Sequence, residues 1–78
     1  MNSVHLRSRA LSTAERQTEA LLRQPYSALT DGTRTVDGIT LSWTVEEAPL
    51  SKKITLVYAY NLQDGARQDT MTAARPLP

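Results

Sequence analysis

Between residues 33 and 62 apolar and polar positions alternate with a period of two, and the rest of the chain is arranged around that stretch. Ile39, Leu41, Trp43 and Val45 alternate with Thr40, Ser42 and Thr44, and Ile54, Leu56, Tyr58 and Tyr60 alternate with Thr55, Val57 and Ala59. Successive side chains of a strand point to opposite faces, so each apolar set occupies one face. β-branched and aromatic residues fill both runs, as a half-buried pleated surface favours. Asp37-Gly38, directly before the first run, is a hairpin signal. A two-residue turn there pairs Val36 with Ile39, Thr35 with Thr40 and Arg34 with Leu41. Arg34 then falls on the apolar side of a short strand, residues 33–36. That predicts a sheet edge, where a long arginine stem lies on apolar surface and its head reaches water.

Pro49 cannot donate a ladder hydrogen bond, so the second strand is expected to end near Glu46. Lys52 and Lys53 open the third strand. Its second face is also partly apolar, through Val57 and Ala59, which predicts the centre of the sheet. Asp31-Gly32 and Asp64-Gly65 read as further turns of the Asp-Gly type, and residues 66–72 as a polar edge strand.

Upstream the period changes to that of a helix. Ser12 and Glu15 form a capping box, and Ala14, Thr18, Leu21 and Leu22 form an apolar stripe extended backwards by Leu11. Glu15 in the first turn and Arg23 in the last would complement the helix dipole. Pro25 pushes Gln24 out of the α region and ends the helix. Val4, Leu6 and Ala10 alternate with His5, Arg7 and Arg9, so residues 1–11 read as an extended basic arm. Residues 26–30 read as a connector, and residues 73–78, ending Arg-Pro-Leu-Pro, as a disordered or polyproline-like tail. The predicted fold is α+β, a small two-layer domain over residues 12–72. One N-terminal helix packs on a three- to four-stranded antiparallel β-meander.

Composition narrows the function classes. The chain has 78 residues, no cysteine and a net charge of +1. So short a chain buries a limited share of its surface and has no disulfide to brace it. Association with a partner or with a second copy, as a homodimer, is the remaining route to added stability. The small net charge argues against a strongly electrostatic nucleic-acid binder. No apolar run reaches transmembrane length, which predicts a soluble cytoplasmic protein without a membrane partner.

Candidate chemistry is sparse. His5 is the only histidine and lies in the predicted arm. Asp31, Asp37 and Asp64 sit in turn signals that already account for them. Glu46 and Glu47 are neighbours on a strand, so they point opposite ways and make a poor acid–base pair. There is no Gly-rich phosphate loop and no metal-ligand motif. The expectation is a non-enzymatic chain without cofactor or metal. A protein-binding module is the leading reading, with Trp43, Tyr58 and Tyr60 as anchors if exposed and Arg34 and Arg67 as rim charges. A chain of this size and composition fits an accessory protein of a phage or mobile element. Such a protein inhibits or regulates a larger bacterial complex by occupying a surface. The alternative is a small nucleic-acid-associated regulator, with Arg7, Arg9, Arg16, Lys52 and Lys53 on phosphate.

Overall fold

A computed structural model describes residues 3–77, with side chains from residue 7 onward. Met1, Asn2 and Pro78 lie outside the described residues, as do the side chains of Val4, His5 and Leu6 and the expectations attached to them. The elements run α1 (Ser3–Arg23), a short 3₁₀ turn (Tyr26–Ala28), β1 (Gly32–Val36), β2 (Ile39–Ala48), β3 (Ser51–Leu62) and β4 (Gly65–Pro76). The strands form one antiparallel sheet in the order β1-β2-β3-β4, and α1 covers one of its faces. This is the α+β, helix-on-meander architecture that the alternation predicts.

Three stretches differ from the sequence-based expectation. The helix opens at Ser3, so residues 3–11 are helical and not an extended arm. Ala10 and Ala14, both 0 % exposed, share one helix face and carry the buried stripe a turn upstream of Ser12. Ser12 is therefore exposed in mid-helix and caps nothing, and Glu15 is not in the first turn. Leu11, 42 % exposed, lies off the stripe. The second difference is the tail, where Ala73, Ala74, Arg75 and Pro76 pair with Ile54, Lys53, Lys52 and Ser51. Third, Pro49 and Leu50 form a two-residue connection between Ala48 and Ser51, which pair directly, so the second strand passes Glu46. Proline tolerates this place because its fixed φ suits the second position of a tight turn.

The register of the first hairpin is the one predicted: Val36 opposite Ile39, Thr35 opposite Thr40, Arg34 opposite Leu41. Asp37 (φ +50°) and Gly38 (φ +79°) both take left-handed conformations, as a type I′ turn requires. The last turn differs. Its two residues are Gln63 and Asp64, and Gly65 already opens β4 opposite Leu62.

β2 and β3 present their apolar sets to the same face, since Leu41 opposes Tyr58, Trp43 opposes Leu56 and Val45 opposes Ile54. With Ala10, Ala14, Leu21 and Leu29 these residues make the core. Leu29 enters it from the connector, which turns through Leu29 N–H to Tyr26 O at 3.3 Å rather than running on as a strand. The molecule measures 44 × 18 × 16 Å. Twelve-residue strands span about 40 Å, whereas a 21-residue helix spans about 31 Å, so the sheet outreaches its cover.

Candidate functional site

Two flanks of α1 differ in chemistry, and each overhangs a different edge of the sheet. Residues 11, 15, 18 and 22 follow one another at helical spacing. Thr18 Oγ1 contacts Met71 Sδ of β4 at 3.2 Å, and Leu22 O accepts a hydrogen bond from Arg75 Nη1 of β4 at 2.7 Å. This flank, which brings Leu11 and half-buried Leu22, therefore overhangs β4. Residues 9, 13, 16 and 20 form the other stripe. With Gln17 they face Arg34, Val36 and Asp37 across a cleft of about 350 Å³, whose floor includes Leu41. This flank is basic and overhangs β1.

The outer edge of β4 is open. In a two-residue hairpin the residues flanking the turn exchange both backbone hydrogen bonds, and bonded pairs recur at every second position. Carried across the register from Val36–Ile39, this directs the N–H and C=O groups of Arg67, Asp69, Met71, Ala73 and Arg75 toward β3. The bond from Leu77 N–H to Leu50 O at 2.9 Å continues the same series. Those of Ala66, Gln68, Thr70, Thr72 and Ala74 point away from the sheet. Pro76, next in that outward series, has no N–H to offer. The same alternation sends the side chains of Ala66, Gln68, Thr70, Thr72 and Ala74 to the helix-free face, where they are exposed. There they continue rows through half-buried Thr55, Val57 and Ala59 to exposed Thr40, Ser42 and Thr44.

Arg75 was not among the residues the sequence singles out. Its Nη1 donates to Leu22 O and Gln24 O, both at 2.7 Å, and so satisfies carbonyls left over at the end of α1. The sequence signal for it is weak: an arginine in a short tail between alanines and a proline.

The expected aromatic anchors are not at the surface. Tyr58 is 7 % and Tyr60 3 % exposed, and their rings stack with centroids 6.3 Å apart under α1. They belong to the core because β3 turns its larger side chains toward the helix. Burial raises the Tyr58 hydroxyl pKa above the usual tyrosine value, helped by Asp69, Tyr60 and Glu15. Trp43 is half-buried; its Nε1 donates to Thr30 O at 3.1 Å and its ring lies against Gly32, so it clamps the entry to β1. Arg34 is exposed on the edge strand, as its register predicts, with Nη1 3.5 Å from Gln17 Oε1. Arg67 pairs with Asp64 at 2.8 Å beside the last turn.

The residues of the nucleic-acid alternative are dispersed. Lys52 is buried, with Nζ donating to Tyr26 O at 2.8 Å and lying 4.5 Å from the centre of the Tyr26 ring. It is thus taken up by the connector and not available to phosphate. Lys53 is exposed on the helix-free face. Arg7 does not line the cleft, whereas Arg9 and Arg16 do, together with Arg34. Among the described residues no helix is long and apolar enough to cross a membrane, and no group of three or more His, Cys, Asp or Glu is placed to hold a metal. The chain matches no known family model, no curated protein sequence and no solved structure.

Proposed function

We propose that the chain is a non-enzymatic binding module that captures an extended segment of a partner protein by adding it as a strand to β4. The observation that carries this reading is the open outer edge of β4, a strand of 12 residues at the end of the sheet, which α1 meets through Thr18 and Leu22. Strand addition draws affinity from main-chain hydrogen bonds and specificity from alternate side chains. On one side the incoming residues meet the flank of α1 that carries Leu11, Glu15, Thr18 and Leu22; on the other they join the small threonine- and alanine-rich face. A long unpaired edge is otherwise a liability that proteins blunt with prolines and charges. In β4 the outward-pointing series is interrupted only at its end, by Pro76. Regulation or inhibition of a larger bacterial complex, by a phage or mobile-element accessory protein acting stoichiometrically, is the role we assign to such a module. It rests on the lack of catalytic motifs in the sequence and on the open edge of β4.

The test compares the parent with Thr70→Pro and Leu11→Asp. Proline at an outward-pointing edge position removes no ladder bond to β3, and Leu11 is 42 % exposed. Both variants should remain folded, with a cooperative thermal transition and at most a modest drop in Tm, and lose the partner that the parent retains from a bacterial lysate. Retention of the same partner by both variants would refute strand addition at β4.

A further inference from the structure

The basic flank of α1 is not used by the reading above. Arg9 and Arg16 are seven residues apart, two turns of helix, and so stand on one side of it. Thr13 lies between them and Ala20 beyond, and all four line the cleft toward β1. The opposite wall is the first hairpin, which contributes Arg34, Val36 and Asp37. The type I′ turn at Asp37-Gly38 fixes the register that turns Arg34 toward the helix. Three arginines thus line one cleft with a single acidic residue, Asp37, and none of the three belongs to an ion pair among the described residues. The other two arginines on the helix differ. Arg23 is paired with Glu19, and Arg7 does not line the cleft. Val36, Leu41 and Ala20 give the cleft an apolar lining, while Thr13 and Gln17 add neutral hydrogen-bonding groups.

We infer that this cleft is a binding site for a phosphate group, held by Arg9, Arg16 and Arg34. Guanidinium forks match phosphate oxygens two at a time. Charges gathered in a concave site raise the local anion concentration more than the same charges spread over a surface. The volume, about 350 Å³, lies at the small end of ligand sites. It takes a phosphate together with the organic body that carries it. That body is a small molecule such as a nucleotide, or one unit of a single-stranded nucleic-acid backbone, and the phosphate chemistry is common to both.

Inorganic phosphate, AMP and a single-stranded oligothymidylate should be titrated into the full-length protein at low salt, followed by backbone amide NMR shifts. The amides of Thr13, Gln17 and Asp37 should move, and those of Lys53 and Thr55 on the far face should not. Arg16→Gln and Arg34→Gln should each weaken binding of the preferred probe by about tenfold or more. Arg23→Gln and Lys53→Gln should leave it within about twofold, as changes remote from a localised site do. AMP binding tighter than phosphate, with no further gain for the oligonucleotide, assigns a small molecule. A large gain for the oligonucleotide with steep salt dependence assigns the nucleic-acid backbone. No binding of any probe overturns the inference, as does equal weakening by the cleft and control substitutions.

Discussion

Replacing Arg75 with methionine tests whether the last strand holds the helix in place. The substitution keeps most of the stem and removes the guanidinium that donates to Leu22 O and Gln24 O at 2.7 Å. Hydrogen bonds to a charged group contribute roughly 1.5–3 kcal/mol net, and a cation at a helix C-terminus adds about 0.3–1 kcal/mol. Arg75 is half-buried and Gln24 is exposed, so water replaces part of what is lost at Gln24. Leu22 is half-buried and recovers less. The loss should therefore be about 2 kcal/mol, from the lower part of those ranges. For a domain of this size each kcal/mol lowers Tm by about 4–8 °C, which gives roughly 8–16 °C. The assay is thermal unfolding followed by circular dichroism at the helix band, with urea unfolding at 25 °C to give the free energy directly. If Arg75→Met melts within about 2 °C of the parent, well below the Tm shift per kcal/mol expected for this size, the contact is an incidental surface one.

Other consequences follow from the same packing. Tyr60→Ala should destabilise the fold by about 3–5 kcal/mol, as other buried aromatic truncations do; urea unfolding that shows less than about 1 kcal/mol would remove Tyr60 from the core. Gly32→Ala would bring a Cβ to 2.6 Å from Trp43 Cζ2. It should cost about 1–3 kcal/mol and alter tryptophan fluorescence, and an unchanged spectrum and stability would contradict the Trp43 clamp. The folded state holds the Tyr58 proton to higher pH than the unfolded chain does. That contribution is complete below about pH 10 and is lost as pH rises through the folded value. Tyr58→Phe should thus shed part of the alkaline loss of stability, and an identical decline in both proteins between pH 9 and 11 would refute it.

The legible parts of the fold were those in which side-chain pattern and backbone geometry carry the same message. Ile39–Val45 and Ile54–Tyr60 alternate cleanly, and Asp37-Gly38 sets a register that the hairpin keeps residue by residue. The first eleven residues were ambiguous because Val4, Leu6 and Ala10 fit a period of two, while Ala10, Ala14 and Leu21 fit a helical one. The capping box at Ser12 favoured a late start. What decides is that both alanines are fully covered by the sheet, and their small size hides this in any hydrophobicity pattern. Residues 73–76 were illegible for a different reason. An edge strand is held by its neighbour's backbone, and Ala-Ala-Arg-Pro has almost no apolar signal.

Of the candidate site, Arg34 at a sheet edge followed directly from the register. That Tyr58 and Tyr60 are core depends on which face the helix covers, and the period of two leaves this open. Arg9, Arg16 and Arg34 meet only because a 21-residue helix carries Arg9 alongside the first hairpin. A helix starting at Ser12 would have left Arg9 outside.

The most direct test of strand addition at β4 is amide hydrogen exchange in that strand, free and with a captured partner. In the free protein Arg67, Asp69, Met71 and Ala73 should be protected through their bonds to β3. Gln68, Thr70 and Thr72 should exchange at nearly unprotected rates. On partner binding the second set should slow to match the first. Uniform protection along β4 in the free protein, or unchanged exchange at Gln68, Thr70 and Thr72 in the complex, would contradict the account.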